Sequence, residues 1–178
     1  MAGPPKRRRA YLDDFVRDAR GEYVYRGRRF RFDGSERARR RFCAAAAGLT
    51  VLAAFFVILQ EWFAPVDMSS SLPLILLWLI QAVTIALTGW SIARMILRTR
   101  ELRAYVYDAT ILKLPRRALA AAIACGASLA GQLIYLLVCR SAGPALPTWI
   151  RPACACLAGV ACLLLRRVIR ASRWTEIS

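Results

Sequence analysis

This chain contains no histidine. The commonest general base and the commonest metal ligand are therefore missing, and any acid–base or metal chemistry would rest on carboxylates, cysteines or lysines. Acids and lysines are themselves scarce. Two lysines accompany 25 arginines, and 11 Asp+Glu stand against 27 Lys+Arg, which leaves a formal charge of +16. No glycine-rich phosphate loop, zinc signature, serine-nucleophile elbow or transport signature is present. No apolar stretch follows directly on the basic start. About forty mainly polar residues come before the first apolar run, which argues against a cleaved signal peptide and makes that run a retained signal anchor. No catalytic residue, metal ligand or cofactor is assigned on these grounds, and the chain is not expected to be an enzyme.

What the chain does have is long apolar runs, within a composition that is 58% hydrophobic. They lie at Phe42–Phe63, Leu72–Ala93, Ala118–Cys139 and Ile150–Leu165. A helix rising 1.5 Å per residue needs about 20 residues to cross a hydrocarbon core of roughly 30 Å. The first three runs reach that length. The fourth is shorter and carries Arg151 and Pro152 near its start, where an arginine can snorkel to the interface. A soluble four-helix bundle would show a polar stripe at helical period; Val51–Leu59 and Leu74–Ile80 show none. The expected fold is an all-α integral membrane protein, with four transmembrane helices arranged as two antiparallel hairpins.

Charge sets the expected topology. Residues 1–41 hold fourteen Lys+Arg, residues 94–117 hold seven and residues 166–178 hold four, against only Arg140 and Arg151 on the other side. Cytoplasmic loops carry the Lys/Arg excess. The expectation is a multi-pass protein of the cell membrane with both termini cytoplasmic. It divides into a basic N-terminal segment (1–41), a first hairpin (42–93), a cytoplasmic loop (94–117), a second hairpin (118–165) and a tail (166–178). Trp62, Trp90, Trp149 and Trp174 fall near span ends, where amphipathic rings suit the headgroup layer.

The polar segments are patterned. Glu22–Phe32 alternates aromatic with other residues on both sides of Arg26-Gly27, which predicts a β-hairpin over 22–32 with Tyr23 opposite Phe30 and Gly27 in the turn. Tyr11–Ala19 reads as a short helix. In the middle loop the second helix is expected to continue past Arg98, with an extended piece over Tyr105–Leu114 ended by Pro115, itself a suitable first-turn residue for the third span. The triplets Tyr23-Val24-Tyr25 and Tyr105-Val106-Tyr107 each precede an arginine pair and an Ala-rich run, which suggests a parallel duplication.

Intramembrane polar residues are functional candidates by default. Glu61, beside Gln60, could form a cation or proton site with Gln81, Gln132 or Asp67; the plainer reading is an interfacial acid and two interhelical hydrogen bonds. Arg37, Arg39, Arg40, Arg41, Arg116, Arg117, Arg166 and Arg167 are candidate contacts for anionic lipid. Phosphate contacts to nucleic acid are the lesser reading of the same charge. The cysteines read as small apolar filler, since Cys154 and Cys156 point about 200° apart on a helix and cannot share an ion; a Cys139–Cys154 disulfide is sterically conceivable. Ala44/Gly48, Ala122/Gly126, Ala127/Gly131 and Ala155/Gly159 fit the small-xxx-small spacing of close helix contacts. The functional expectation is a non-catalytic subunit or interaction module at the inner membrane face, partnered by anionic lipid and by copies of itself or a larger complex. The alternatives are an oligomeric channel or transporter, and a lipid-directed enzyme, whose nearest acids would be Asp13, Asp14, Glu101 and Asp108.

Overall fold

The computed structural model describes residues 15–18, 21–25, 27–63, 70–97, 101–138 and 146–177. The chain is mostly helical, and four of its helices are long and apolar enough to span a membrane. These are α1 (Glu36–Trp62), α2 (Leu72–Ile96), α4 (Leu114–Val138) and α5 (Leu146–Ala171), with a short α3 (Ala104–Ala109) between the second and the fourth. Each long helix extends beyond its apolar run into polar sequence. Ser35 caps α1, its hydroxyl accepting from the Ala38 N–H at 3.2 Å, and Glu36 in the first turn suits the positive end of the helix dipole. Pro115 occupies the first turn of α4, as expected.

α1 lies against α2 and α5, and α4 lies against the same two helices, which closes a four-helix ring. Large apolar side chains such as Val51, Ile58, Leu79 and Leu137 point outward. In water they would form a continuous exposed patch; in a bilayer they face hydrocarbon. The interior is lined by small residues instead: Ala46, Ala53, Ala118, Ala121, Ala155, Ala158 and Ala161 are buried. Among the glycines at small-residue spacing, two work inside the ring. A Cβ on Gly131 would meet the Leu77 side chain of α2, and one on Gly159 would lie 3.3 Å from Cys125 Cβ of α4. Gly48 and Gly126 have nothing within 4 Å.

Among the described residues five short strands lie outside the ring. β1 (Phe15–Arg17) pairs antiparallel with β2 (Tyr23–Tyr25), and Gly21, at φ +83°, supplies the left-handed turn between them. β3 (Arg29–Phe32) is the middle strand of a three-stranded sheet, with β4 (Glu101–Arg103) on one side and β5 (Trp174–Ile177) on the other. This corrects the predicted 22–32 hairpin: Tyr23 belongs to β2 and Phe30 to β3, in different sheets. The described part of the predicted 11–19 helix is the strand β1, because Val16 finds a cross-strand partner in Val24. The extended piece expected from Tyr105 is instead α3 and a turn, and the strand lies just before it. The two Tyr-Val-Tyr triplets thus differ in form, one a strand and one a helix. Residues 64–69, with Asp67, and residues 139–145, with Cys139, lie outside the described residues, and so does the disulfide suggested for Cys139.

The sheet is fastened to one end of the ring by aromatic side chains. Phe30 and Phe32 alternate with exposed Arg29 and Arg31 along β3, so both rings share the face toward the helices. Phe30 stacks on Tyr107 at 4.1 Å, and Phe32 meets Phe42 of α1 at 5.6 Å and Trp174 of β5 edge-on at 5.5 Å. Beneath them Leu102, Val106, Ile111, Leu114, Ile92, Met95, Leu165 and Ile169 form one buried apolar cluster. The glycine contacts give a direct check on the ring. Gly159→Leu forces α4 and α5 apart and should cost about 1–3 kcal/mol, as overpacking does. Gly126→Leu, on the open face, should leave the thermal midpoint in detergent unchanged.

Candidate functional site

The end of the ring away from the sheet is where polar chemistry is buried. Glu61 lies in the last turn of α1 and Arg151 in the second turn of α5. By the helix dipole alone each is at the wrong end: an acid at a negative C-terminus and a base near a positive N-terminus. Their contact resolves this. Arg151 Nη2 donates to Glu61 Oε1 at 2.5 Å, so each charge sits beside the opposite partial charge of the neighbouring helix. The Arg151 side chain is 0% exposed and that of Glu61 is 30% exposed. Arg151 therefore does not snorkel; it turns into the ring. Pro152 follows it within α5 and removes one backbone donor from that part of the helix.

A second polar group adjoins in sequence. Gln60 Nε2 and Gln132 Nε2 both donate to Ser128 Oγ, at 3.3 and 3.0 Å. This joins α1 to α4. A hydroxyl offers two acceptor lone pairs and one donor, so Ser128 serves both amides. Gln81 on α2 is also fully buried, and its side chain lies against the Cys125 thiol of α4. Gln60 Oε1, Gln132 Oε1, and Arg151 Nε and Nη1 are buried without a partner. Buried polar atoms left unpaired cost about 1–3 kcal/mol each, so their concentration in one part of the ring marks it as the candidate site. This set offers hydrogen bonds of both kinds to water or to a small polar solute. Its one carboxylate is already neutralised by Arg151.

The sequence-predicted residues divide accordingly. Glu61 and Gln132 fall in this region on α1 and α4, each with a hydrogen-bonded partner, whereas Gln81 lies on α2 against Cys125. Sequence reasoning missed Gln60, Ser128 and the role of Arg151. The available signal was that Glu61 and Arg151 are opposite charges at the same end of their spans. At the other end Arg39 and Arg40 both approach Glu36 at 3.5 Å, and Arg117 bonds to Ser91 of α2. Arg37, Arg41, Arg116 and Arg167 are exposed and Arg166 is half-buried. Among the described residues no group of three His, Cys, Asp or Glu could hold a metal ion.

The sheet is the second candidate surface. Asp33 N–H donates to the Arg173 carbonyl at 3.0 Å, and Ala104 N–H to the Arg28 carbonyl at 2.9 Å. Antiparallel ladders alternate bonded and non-bonded pairs. Arg29 and Arg31 therefore bond toward β5 and Phe30 toward β4, which leaves the backbone groups of Trp174 and Glu176 facing outward along the edge of β5, where no other described strand pairs. An edge of this kind is a template for another strand. Beside it, burial first and then the neighbouring Asp108 carboxylate push the Tyr107 phenol above its ordinary range.

The Glu61–Arg151 pair yields a double-mutant test. Glu61→Ala strands a buried guanidinium and should cost about 3–5 kcal/mol, whereas adding Arg151→Met should recover most of the loss, because an apolar side chain replaces the uncompensated charge. Thermal unfolding in detergent reads both, and strictly additive losses would show that the two residues are not coupled.

Compared with protein-family models, curated proteins and solved structures, the chain matches none.

Proposed function

We propose that the protein is a non-catalytic membrane subunit that docks a partner through the sheet at the basic end of its helical ring. In this reading it is a multi-pass protein of the cell membrane, its helices form two antiparallel hairpins, and both termini and the sheet are cytoplasmic, on the side with the arginine excess. The observation that carries the reading is the composition of the sheet. Its three strands come from the N-terminal segment, the middle loop and the tail, and they are seated by Phe30, Phe32, Tyr107 and Trp174. Holding three separate segments in register costs backbone entropy of about 1–2 kcal/mol per residue. A chain needing only to insert would have no use for it. The edge of β5 provides the main-chain groups for β-augmentation, and exposed Arg31 on the sheet face gives the partner strand a reason to be acidic.

A second reading, a channel or transporter, is favoured by the unpartnered amide oxygens of Gln60 and Gln132 and the buried amide of Gln81 inside the ring. Against it, the sheet end of a single chain is filled by the apolar cluster around Phe42, Ile92, Leu114 and Leu165, so a continuous path would need several copies.

One substitution separates the readings. Glu176→Pro removes an outward N–H from an edge strand, a position where proline is tolerated, and leaves the bonds to β3 in place. Mass spectrometry of the protein purified in mild detergent from its native membranes should find a partner at fixed stoichiometry with the wild type. That partner should be lost with Glu176→Pro at an unchanged thermal midpoint. A lone homo-oligomer that conducts ions in liposomes, with flux lowered by Gln81→Leu, would select the transporter.

A further inference from the structure

α5 carries a groove on its outer surface that neither the sheet nor the buried polar residues use. It is a half-open depression of about 440 Å³, lined by Val160, Leu163, Leu164, Arg166, Arg167 and Arg170. The lining changes character along the helix. Val160, Leu163 and Leu164 are exposed apolar side chains, and the three arginines follow in the last two turns. None of the three has a hydrogen-bond or ion-pair partner among the described residues, and Arg166 Nε is withdrawn from water without one. At the same end Arg39 and Arg40 face Glu36, Arg117 bonds to Ser91 and Arg28 faces Glu176, whereas Arg37, Arg41 and Arg116 are exposed singly, away from this apolar wall. Three unmatched guanidinium groups on one helix face, continuous with an apolar wall, make a surface of two chemistries.

We infer that this groove binds one anionic phospholipid of the leaflet on the sheet side, with its phosphate among Arg166, Arg167 and Arg170 and an acyl chain along Leu163, Leu164 and Val160. The order along the helix agrees. The apolar wall from Val160 to Leu164 rises about 6 Å, enough to line the headgroup-proximal part of an acyl chain whose phosphate sits at the arginines. The electrostatics agree as well. The helix C-terminus contributes about half a negative charge against the phosphate, far less than three positive charges supply. Guanidinium groups also offer forked donors that match phosphate oxygens. Because β5 begins at Trp174, directly after this helix end, a lipid held here would lie beside the strand proposed to dock the partner. The inference rests on the chain being a membrane protein and is independent of the docking partner.

Native mass spectrometry of the purified full chain in non-ionic detergent tests it, with added phosphatidylglycerol or phosphatidylcholine of matched chains. The wild type should retain one phosphatidylglycerol in clear preference to phosphatidylcholine. Arg167→Gln alone should weaken phosphatidylglycerol retention about fivefold, and the triple change Arg166→Gln, Arg167→Gln and Arg170→Gln should abolish the preference. Val160→Trp, which fills the apolar wall and leaves every charge in place, should weaken retention of the anionic lipid. Lys113→Gln removes one exposed charge from the same end of the molecule and should change nothing. Equal retention of the two lipids by the wild type would overturn the inference. So would a loss in the Lys113 variant as large as in the Arg167 variant, since diffuse positive charge would then account for the binding.

Discussion

The aromatic contact at the sheet end is what the rest of the architecture hangs on. Phe30 and Phe32 from the N-terminal segment, Phe42 from α1, Tyr107 from the middle loop and Trp174 from the tail meet within 4.1–6.1 Å of one another in successive pairs. Aromatic pairs contribute about 0.5–1.5 kcal/mol each beyond their burial. A sheet of strands three and four residues long is marginal by itself in water, so these pairs decide whether it forms. Once it forms, the three polar segments of the chain become one surface, and the ends of all four long helices are gathered beneath it.

The opposite end obeys a different constraint. Hydrocarbon provides no hydrogen bonds, so polar side chains in spanning helices turn inward or pair. Gln60, Gln81, Ser128, Gln132 and Arg151 are all buried in the ring. Small residues make room for them: with alanine over much of the interior, long polar side chains can cross between helices. The long amides and the buried arginine thus lie inside at one end, while the other end buries mainly apolar side chains with Thr88, Ser91 and Thr110 among them. The apolar half is sealed by the sheet, and the polar half holds the Glu61–Arg151 pair.

Much of this was legible in the sequence because it depends on local quantities. The four spans follow from run length and the lack of a polar stripe, and the period of a helix correctly separates buried Cys154 from exposed Cys156. What was not legible depends on distance along the chain. Glu61 and Arg151 are 90 residues apart, and only the contact between α1 and α5 brings them together. The β3 strand pairs with residues from 101 and from 174 onward, whereas a hairpin rule looks for the nearest alternating stretch and so joined Tyr23 to Phe30. The alternation itself was sound: Phe30 and Phe32 do share a face. Their partner strands were far away in sequence, and strands this short carry too little pattern to be found unaided.

The central claim is that the N-terminal segment and the tail are joined in one sheet on one side of the membrane. Arg31 and Thr175 face each other directly in that sheet, as a bonded pair whose Cα atoms should be about 5.5 Å apart. The direct measurement is oxidative crosslinking of Arg31→Cys with Thr175→Cys in a background whose native cysteines are replaced, performed on the protein in native membranes. The account predicts a near-quantitative intramolecular disulfide that Phe32→Ala suppresses. Absence of the crosslink in correctly inserted protein, with both cysteines reactive to maleimide, would contradict it.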